Sequence, residues 1–323
     1  MNNKMMVSVC CITYNQAEYI KDALDSFLMQ KTNFKYEVII HDDASTDGTT
    51  EIIKEYADKY PEIIKPIFEK ENQYSKGVKR ILNFTFKVAK GKYIALCEGD
   101  DYWSSENKLQ LQVDYMEKNP NCTLLFHNAK IIDMIDGKET NFVPYTKRIG
   151  RHLKIDGNYN VGELELLEFI PTASFMFRTY NLKKMPKFYE ECFVGDWPLK
   201  LIMTSFGYAH YIDEVMSIYR KNANGSMTVR NEKKEKENVE GKLDILNKKE
   251  TFVNQMDKFT NYKYHSVFEQ RLLQYKIERL LCTSKKNNII IILYTKIISL
   301  IKKIKYILKI YFPKFIKKLK GIK

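Results

Sequence analysis

Three carboxylate side chains, those of Glu98, Asp100 and Asp101, lie within four consecutive positions directly after the apolar run 93–96. Carboxylates this close repel one another, and burying them at the end of a strand costs free energy unless a cation lies between them. Oxygen ligands of this kind suit Mg²⁺ or Mn²⁺, which commonly keep coordination positions open for water or for phosphate oxygens. A solvated acidic turn that caps the following helix is the other interpretation, and this segment alone does not decide between the two.

A second acidic pair, Asp42 and Asp43, follows another apolar run at 36–40. Open α/β sheets bind ligands beyond the carboxyl ends of their strands, so both acidic clusters would face one ligand if the two runs belong to one sheet. A nucleoside diphosphate meets both needs, because its phosphates can complete the shell of an ion and its base N–H can donate to a carboxylate. The first apolar run of the chain ends with Tyr14 and Asn15, where an aromatic ring can stack on a base.

The elements that would position these side chains alternate between strand and helix along the chain. Asn15 to Glu18 resembles a capping box that opens a helix through about Gln30. The alternation predicts the α/β class, with a mostly parallel, Rossmann-like sheet covered by helices and a C-terminal helical extension. Strands are predicted at 7–13, 36–40, 63–68, 93–97, 122–127, 173–178, 208–213 and 215–219, and helices at 15–30, 47–60, 78–89, 108–118, 161–169 and from 196. A loop or irregular hairpin over the site is predicted at 133–160.

The chain has 323 residues, of which 44% are hydrophobic, enough for one large domain with an appendage. We predict a main domain over 1–228, a helical extension over 229–286 and a basic tail over 287–323. The six cysteines form no Cys-x-x-Cys motif. They are therefore expected to be reduced thiols of a cytoplasmic protein rather than zinc ligands.

The net charge of +13 is concentrated at the C-terminal end. Residues 285–323 contain 12 lysines and no acidic residue, so the rest of the chain is nearly neutral. Apolar residues recur among these lysines at helical spacing, and the run 289–301 is shorter than the roughly 20 residues of a membrane span. We expect an amphipathic helix that binds the anionic inner face of the cell membrane peripherally, although docking on the protein itself or on a partner stays open. Nucleic acid is not an expected partner, because the tail has no arginine and few aromatic residues.

Five segments occur in an order that resembles the family 2 glycosyltransferases, whose nucleotide-binding domain has the GT-A fold. The resemblance covers about residues 5–228. The segments are Val7-Ser-Val-Cys-Cys-Ile-Thr-Tyr-Asn-Gln16, His41-Asp-Asp-Ala-Ser-Thr-Asp-Gly-Thr49, Ala95-Leu-Cys-Glu-Gly-Asp-Asp-Tyr-Trp103, Gly195-Asp-Trp-Pro-Leu199 and Ser217-Ile-Tyr-Arg220. The resemblance implies transfer of a sugar from a nucleoside-diphosphate sugar, with a UDP-sugar favoured, to a hydroxyl of a glycan or lipid-linked acceptor in bacterial surface polysaccharide synthesis.

The resemblance also implies a role for each matching position. Asp100 would bind a divalent cation, Mn²⁺ or Mg²⁺, and Asp196 would be the catalytic base. The donor-binding positions would be Thr13, Tyr14, Asn15 and Glu18 around the nucleoside, Asp43 on the base N–H with Asp42 supporting its loop, Glu98 near the ribose, Asp101 beside the ion and Arg220 near the phosphates. Trp103 and Trp197 would line the sugar or acceptor subsite or pack in the core.

A single base without a covalent intermediate implies inversion at the anomeric carbon. The chain departs from the family pattern at Gly195, where many members are acidic, and at Asn222, where members often have histidine. Phosphate contact would then fall to Arg220 or Lys221. Two other interpretations are a nucleotidyltransferase, which would normally carry a Gly-rich phosphate loop that 7–15 lacks, and a non-catalytic sugar-nucleotide-binding scaffold at the membrane.

Overall fold

The computed structural model describes residues 2–77, 82–142, 154, 156–167, 169–192, 194–226, 229 and 239–283. Within these residues the strands are β1 (Asn2–Thr13), β2 (Phe34–Asp42), β3 (Ile64–Phe68), β4 (Tyr93–Leu96), β5 (Tyr102–Trp103), β6 (Cys122–Asp133), β7 (Glu139–Asn141), β8 (Asn158–Tyr159), β9 (Met176–Arg178) and β10 (Tyr208–Lys221). The α-helices are α1 (Ile20–Leu28), α2 (Thr49–Lys59), α3 (Leu82–Val88), α4 (Lys108–Lys118), α5 (Val161–Glu165), α6 (Asp196–Ser205), α7 (Val239–Phe259) and α8 (His265–Thr283). Short 3₁₀ turns lie at Thr172–Ser174, Thr179–Lys184 and Lys187–Glu191.

These strands form one mixed sheet in the order β3-β2-β1-β4-β9-β6-β10-β5, with β7 beside β6 and β8 beside β10. β3, β2, β1 and β4 pair in parallel, and β6 is parallel to β10. β9 lies between β4 and β6 and is antiparallel to both. The predicted α/β class with a Rossmann-like parallel region is confirmed, whereas the antiparallel β9 did not follow from the alternation of strands and helices.

Arg178 fixes this antiparallel strand from inside the protein. Its buried guanidinium donates hydrogen bonds to the carbonyl oxygens of Cys122 (2.8 Å), Met116 (2.7 Å) and Asn119 (3.0 Å), and to the hydroxyl of Tyr93 (3.2 Å). A buried cation needs such partners, because its desolvation is otherwise uncompensated. β9 is thereby joined to β4, to β6 and to the end of α4.

Helices cover both faces of the sheet. Apolar residues of α1, α2 and α4 pack on one face, and those of α3 and of α5 to α8 pack on the other. Strand β1 contributes to both cores, because Cys10 faces one and Val9 and Cys11 face the other. The central parallel strands are therefore apolar on both sides, as strands between two helical layers must be.

Observed and predicted element boundaries agree best where residues in the sequence mark the end of a helix or strand. α4 begins and ends where predicted, at Lys108 and Lys118. Residues 208–221 form one strand rather than the two predicted, because register shifts against β6 between Ile212 and Ser217 absorb the irregularity without ending the strand. The predicted start of α3 at 78 lies outside the described residues, as do 143–153 and 155 of the predicted segment 133–160. The described part of that segment includes β7, which pairs antiparallel with the end of β6, and β8.

The helical extension shares the core of the main domain. Leu246 and Phe252 of α7 and Phe268 of α8 belong to the same apolar cluster as Leu199 of α6. No described helix is both long and apolar enough to cross a bilayer. The predicted tail 287–323 is outside the described part of the chain.

A buried ion pair joins this extension to α5 and α6. Arg271 of α8 donates to Glu165 Oε1 (2.6 Å) and to the Glu165 carbonyl oxygen (2.8 Å). The other carboxylate oxygen accepts from the indole N–H of Trp197 (2.7 Å), and the Trp197 ring packs edge-on against Phe252 at 4.5 Å between centroids. The half-buried Trp197 ring thus packs between the extension and α5, and the expectation that it also lines a subsite stays a prediction.

Substitution of Arg271 by Met should lower the free energy of unfolding by about 3–5 kcal/mol, because the fully buried carboxylate of Glu165 would lose its cation. The measurement is chemical denaturation followed by far-UV circular dichroism. Arg279→Met is the matched control, since Arg279 pairs with Glu250 on a partly exposed surface, where such a pair is worth about 1 kcal/mol or less. Equal effects of the two substitutions would contradict this account.

Candidate functional site

The carboxyl ends of β1, β2 and β4 lie side by side, and backbone hydrogen bonds continue the sheet into the loops. The Asp43 N–H donates to the Thr13 carbonyl oxygen (3.1 Å), and the Gly99 N–H donates to the Ile12 carbonyl oxygen (3.0 Å). The ends of the three strands are therefore fixed relative to one another. The two acidic clusters expected from the sequence lie on either side of Thr13.

Gly99 allows the acidic turn 98–101 to pass close to the end of β1. A Cβ atom at this position would lie 2.6 Å from Gln16 Oε1 and 2.8 Å from Thr13 Oγ1, closer than real contacts allow. The Thr13 hydroxyl in turn donates to Gln16 Oε1 (2.8 Å). A glycine fits here because the backbone of the turn lies directly against the side chains of Thr13 and Gln16.

Residues 14–17 and 43–49 are joined by reciprocal side-chain to backbone hydrogen bonds. The Asn15 N–H donates to Ser45 Oγ (2.8 Å), and the Asn15 side-chain oxygen accepts from the Thr46 N–H (2.8 Å). The N–H groups of Gln16 and Ala17 donate to the side chains of Thr49 and Asp47 (both 2.9 Å).

These contacts correct the predicted capping box. Asn15 has a left-handed φ of 53° and binds the neighbouring loop, and α1 begins only at Ile20 without a side-chain cap. The Asn15 side chain, which the sequence pattern predicted to cap the helix, accepts from the Thr46 N–H of the neighbouring loop instead.

Asp42 and Asp43 have different surroundings. The Asp42 carboxylate accepts from the Ser45 N–H (3.1 Å) and from the hydroxyls of Ser45 (2.5 Å) and Thr50, so it shapes the loop. The Asp43 carboxylate accepts from the N–H groups of Gln73 (2.7 Å) and Tyr74 (3.1 Å) beyond β3. Each Asp43 oxygen keeps a further lone pair for a ligand.

Glu98, Asp100, Asp101 and Asp196 come together at this edge. Burial, followed by the charges of Asp100 and Asp196, raises the pKa of Glu98 to about 8. Burial and the charges of Asp100 and Glu98 raise the pKa of Asp101 well above its usual range. The effect of Asp196 on Glu98 shows that the first residue of α6 lies within electrostatic reach of the acidic turn, although the two are almost 100 residues apart in sequence.

The acidic turn fits a divalent cation that a ligand helps to hold. Asp101 Oδ2 is buried without a hydrogen-bond partner in the described structure, so it is an unsatisfied acceptor beside other carboxylates. Among the described residues, no three His, Cys, Asp or Glu side chains converge into a complete metal cage. Mg²⁺ and similar hard ions are commonly bound by one or two carboxylates together with substrate phosphates, and this arrangement matches that mode.

Arg220 crosses behind the acidic turn. Its backbone N–H donates to Asp101 Oδ1 (2.8 Å), and Nη1 donates to the carbonyl oxygen of Asp100 (3.0 Å). Nη2 pairs with the carboxylate of Asp22 on α1. The guanidinium predicted to approach phosphates is thus engaged by protein groups.

The end of β10 and the residues after it are held by Asp133 and Tyr19. Asp133 accepts from Asn222 Nδ2 (2.8 Å) and Lys221 Nζ (2.9 Å), and these hydrogen bonds lower the pKa of Asp133 to about 2. The Asn224 N–H then donates to the Tyr19 hydroxyl (3.2 Å), which brings this segment over the start of α1.

Several of these partners are not indicated by any pattern in the sequence. Asp22, Asp133 and Tyr19 act across 89 to 205 positions of sequence separation, and no motif contains them. Of the remaining predicted residues, Tyr14 is half-buried and Glu18 is exposed near the same loop. Their contacts with a nucleoside stay predictions.

A buried tryptophan and a buried lysine follow the acidic turn in the sequence. Trp103 is buried and donates to the Ala173 carbonyl oxygen (3.0 Å), so it packs in the core. Lys108 is fully buried, with Nζ 4.1 Å from the centre of the Trp103 ring and 2.7 Å from Gln112 Oε1. Burial lowers the pKa of Lys108 to about 7, with a smaller opposing effect of Cys97.

Comparisons with known proteins identify the family and the fold. A model of Glycosyl transferase family 2 matches residues 8–181. An uncharacterised protein of Mycobacterium tuberculosis is 38% identical over 222 residues, which are 68% of this chain and 60% of that protein. The Escherichia coli UDP-Glc:alpha-D-GlcNAc-diphosphoundecaprenol beta-1,3-glucosyltransferase WfaP is 38% identical over 112 residues, which are 35% of this chain and 41% of WfaP.

Two solved structures share the fold. TarS residues 1–349 of S. aureus, in complex with UDP-GlcNAc, has a TM-score of 0.60 and 18% sequence identity over 88% of this chain and 74% of that chain. The Pyrobaculum calidifontis mannosyltransferase PcManGT, in complex with GDP-Man and Mn²⁺, has a TM-score of 0.53 and 14% identity over 93% of this chain and 81% of that chain. At these identities the similarity shows the GT-A fold alone.

Substitution of Lys108 by Met should change how stability depends on pH. The pKa of Lys108 is lower in the folded state than in the unfolded state, so the unfolded state binds more protons between about pH 7 and pH 10, and stability rises with pH across that window. K108M lacks this contribution. The unfolding free energy of the wild type, minus that of K108M, should therefore increase from pH 7 to pH 10 in denaturant titrations. A difference that stays constant over this range would contradict the prediction.

Proposed function

The chain belongs to glycosyltransferase family 2, and we propose that it transfers a sugar from a nucleoside-diphosphate sugar, with a UDP-sugar as the favoured donor, to a hydroxyl of a glycan or lipid-linked acceptor. The observation that carries the proposal is the meeting of Asp196 with the acidic turn 98–101, reported by the raised pKa of Glu98. The arrangement provides a base and a phosphate-side acidic turn at one sheet edge, as the reaction requires.

The donor would lie across the ends of β1, β2 and β4. Thr13, Tyr14, Asn15 and Glu18 would surround the nucleoside. The base N–H would donate to Asp43, whose carboxylate is oriented by two backbone N–H groups, while Asp42 keeps the loop in place.

The diphosphate would lie at the acidic turn. Glu98 would face the ribose, Asp100 would hold a divalent cation, and Asp101 would support it with the buried oxygen that has no protein partner in the described structure. When bound, such a cation offsets the negative charge that grows on the leaving phosphate. Support for Mn²⁺ or Mg²⁺ comes from the donor set of the turn and from the Mn²⁺ in the complex of PcManGT.

Asp196 would accept the proton of the acceptor hydroxyl as that oxygen attacks the anomeric carbon. It begins α6 and is half-buried, so the carboxylate is held by a rigid element and remains reachable from solvent. With Asp196 as a single base and no covalent intermediate, the reaction would be a direct displacement with inversion at the anomeric carbon.

The biological setting that we propose is assembly of a bacterial surface polysaccharide at the inner face of the cell membrane. Support comes from the WfaP relative, whose name specifies a diphosphoundecaprenol-linked acceptor, and from the lysine-rich sequence of 285–323. The chain spans about 60% of the length of the mycobacterial relative. The activity of the whole protein therefore belongs to this proposal.

Substitution of Asp196 by Asn should reduce sugar transfer by about 10²–10⁴-fold, because the general base is lost. Binding of the donor should persist, since Asp196 acts on the acceptor. A panel of UDP-, GDP- and dTDP-sugars with and without Mn²⁺ identifies the donor by thermal shift, and transfer and donor hydrolysis are then measured with that donor.

Asp114→Asn is the matched control, because Asp114 is an exposed carboxylate on α4 that accepts only from Gln110 in the described contacts. Undiminished transfer by D196N would favour a different base, and failure of every nucleotide sugar to stabilise the wild type would overturn the proposed function.

Replacement of the lysines at 302, 303, 305 and 309 by Gln should reduce sedimentation with liposomes that contain phosphatidylserine. Each lysine near an anionic surface contributes about 1 kcal/mol, so four substitutions should weaken binding by orders of magnitude. Donor hydrolysis in solution should not change. Replacement of the exposed lysines 242, 258, 263 and 276 of the extension is the control for charge alone, and equal loss of liposome binding in both variants would contradict a role of the tail.

A further inference from the structure

We propose that Asp22 and Arg220 form a clamp that positions the acidic turn 98–101 and thereby sets the affinity of the site for a divalent cation and a diphosphate. The inference rests on the proposed function, because it assigns a task within the same donor site. It gives Asp22 a role that no motif indicated, and it makes Arg220 a positioning residue instead of a phosphate ligand.

Arg220 holds the turn at two successive residues. Its backbone N–H binds Asp101 Oδ1 at 2.8 Å, and its guanidinium binds the Asp100 carbonyl oxygen at 3.0 Å. One contact fixes the direction of a side chain, and the other fixes the backbone from which Asp100 projects. Among like-charged carboxylates this matters, because repulsion would otherwise rotate them apart.

Two aromatic rings fix the plane of the guanidinium. Its central carbon lies 4.5 Å from the centre of the Tyr102 ring and 5.2 Å from that of the Tyr19 ring. Stacking of this kind is specific to the planar, delocalised guanidinium, and a lysine ammonium would not reproduce it together with the forked hydrogen bonds. The chain positions the arginine from three elements: β10, the start of α1 and the residue after the acidic turn.

Asp22 completes the clamp from α1. Its carboxylate pairs with Nη2, whereas the contact with the acidic turn is made by Nη1. The arginine side chain is only 10% exposed, whereas Asp22 is 53% exposed. The pair therefore lies at the surface end of a largely buried arginine, where it restrains the guanidinium without entering the donor site.

The clamp and a direct phosphate contact predict opposite signs for the loss of Asp22. If Arg220 positions the turn, removal of Asp22 loosens the guanidinium and weakens binding of cation and diphosphate. If Arg220 bound phosphate directly, removal of a competing anion would leave binding unchanged or make it tighter.

The test compares the wild type with D22A, R220K and the double variant, using UDP with Mn²⁺ as the probe in isothermal titration calorimetry. R220K should weaken binding about tenfold or more, and D22A should weaken it severalfold, because each removes a charge-assisted hydrogen bond. The double variant should be no weaker than R220K alone, since both changes open the same clamp. In donor hydrolysis, KM should rise more than kcat falls.

Two matched variants control for the substitutions themselves. D25A removes another carboxylate of α1, one that accepts from the Tyr56 hydroxyl at 2.6 Å. R279K changes an arginine of α8 that pairs with Glu250 of α7. Both should bind the probe as the wild type does. Binding by D22A equal to or tighter than that of the wild type would overturn the clamp.

Hydrogen exchange in the unliganded protein tests the clamp independently of nucleotide binding. The N–H groups of Gly99, Asp101 and Ser104 are hydrogen-bonded, and their exchange should be faster in D22A and R220K than in D25A. If exchange is faster in D22A and R220K but the wild type binds no nucleotide, the clamp is supported and the proposed function is overturned. Unchanged exchange would overturn the clamp whatever the nucleotide result.

Discussion

Mutual repulsion of carboxylates is the constraint that organises this end of the sheet. Glu98, Asp100, Asp101 and Asp196 lie close enough to raise the pKa values of two of them, yet the turn does not relax outward. It is retained by groups that carry no negative charge: the packed Gly99 and the guanidinium and N–H of Arg220. The raised pKa values mean that bound protons relieve part of this repulsion, so a cation that entered would replace protons in a turn that is already in place.

The wall opposite the acidic turn is rigid for a different reason. Its loops use residues in left-handed conformations that are costly for side chains with a Cβ, namely Asn15 at φ 53° and Ala44 at φ 62°. Hydrogen bonds between the loops offset that cost, because short polar side chains satisfy the backbone N–H groups of the facing segment. Among these, Asp47 has a lowered pKa, since hydrogen bonds from Thr49 and Ala17 outweigh the opposing effect of burial. The polar segment 42–49 thus holds the loop after β1 in place and is also a candidate ligand-binding surface.

The sequence predicted what is local and missed what is remote. The strand ends and their acidic clusters follow from apolar runs next to charged residues, and the order of the five segments was enough to identify the family. The antiparallel β9 and the roles of Asp22 and Arg178 depend on contacts between distant segments, which periodicity does not encode. The capping box failed for the same reason: a local pattern at Asn15 was overridden by a tertiary partner at Ser45 and Thr46. Trp197 could not be assigned until the helix that covers it was known.

The ion pair between Arg271 and Glu165 has a consequence for modularity. Trp197, which shares Glu165 with Arg271, is the residue immediately after Asp196, so the extension supports the helix that begins with the proposed base. The helical extension is therefore not an exchangeable appendage. A chimera of this chain with a relative has to take α5, α6 and α8 from the same parent. A junction between these helices would separate the proposed base from the contacts that support its helix.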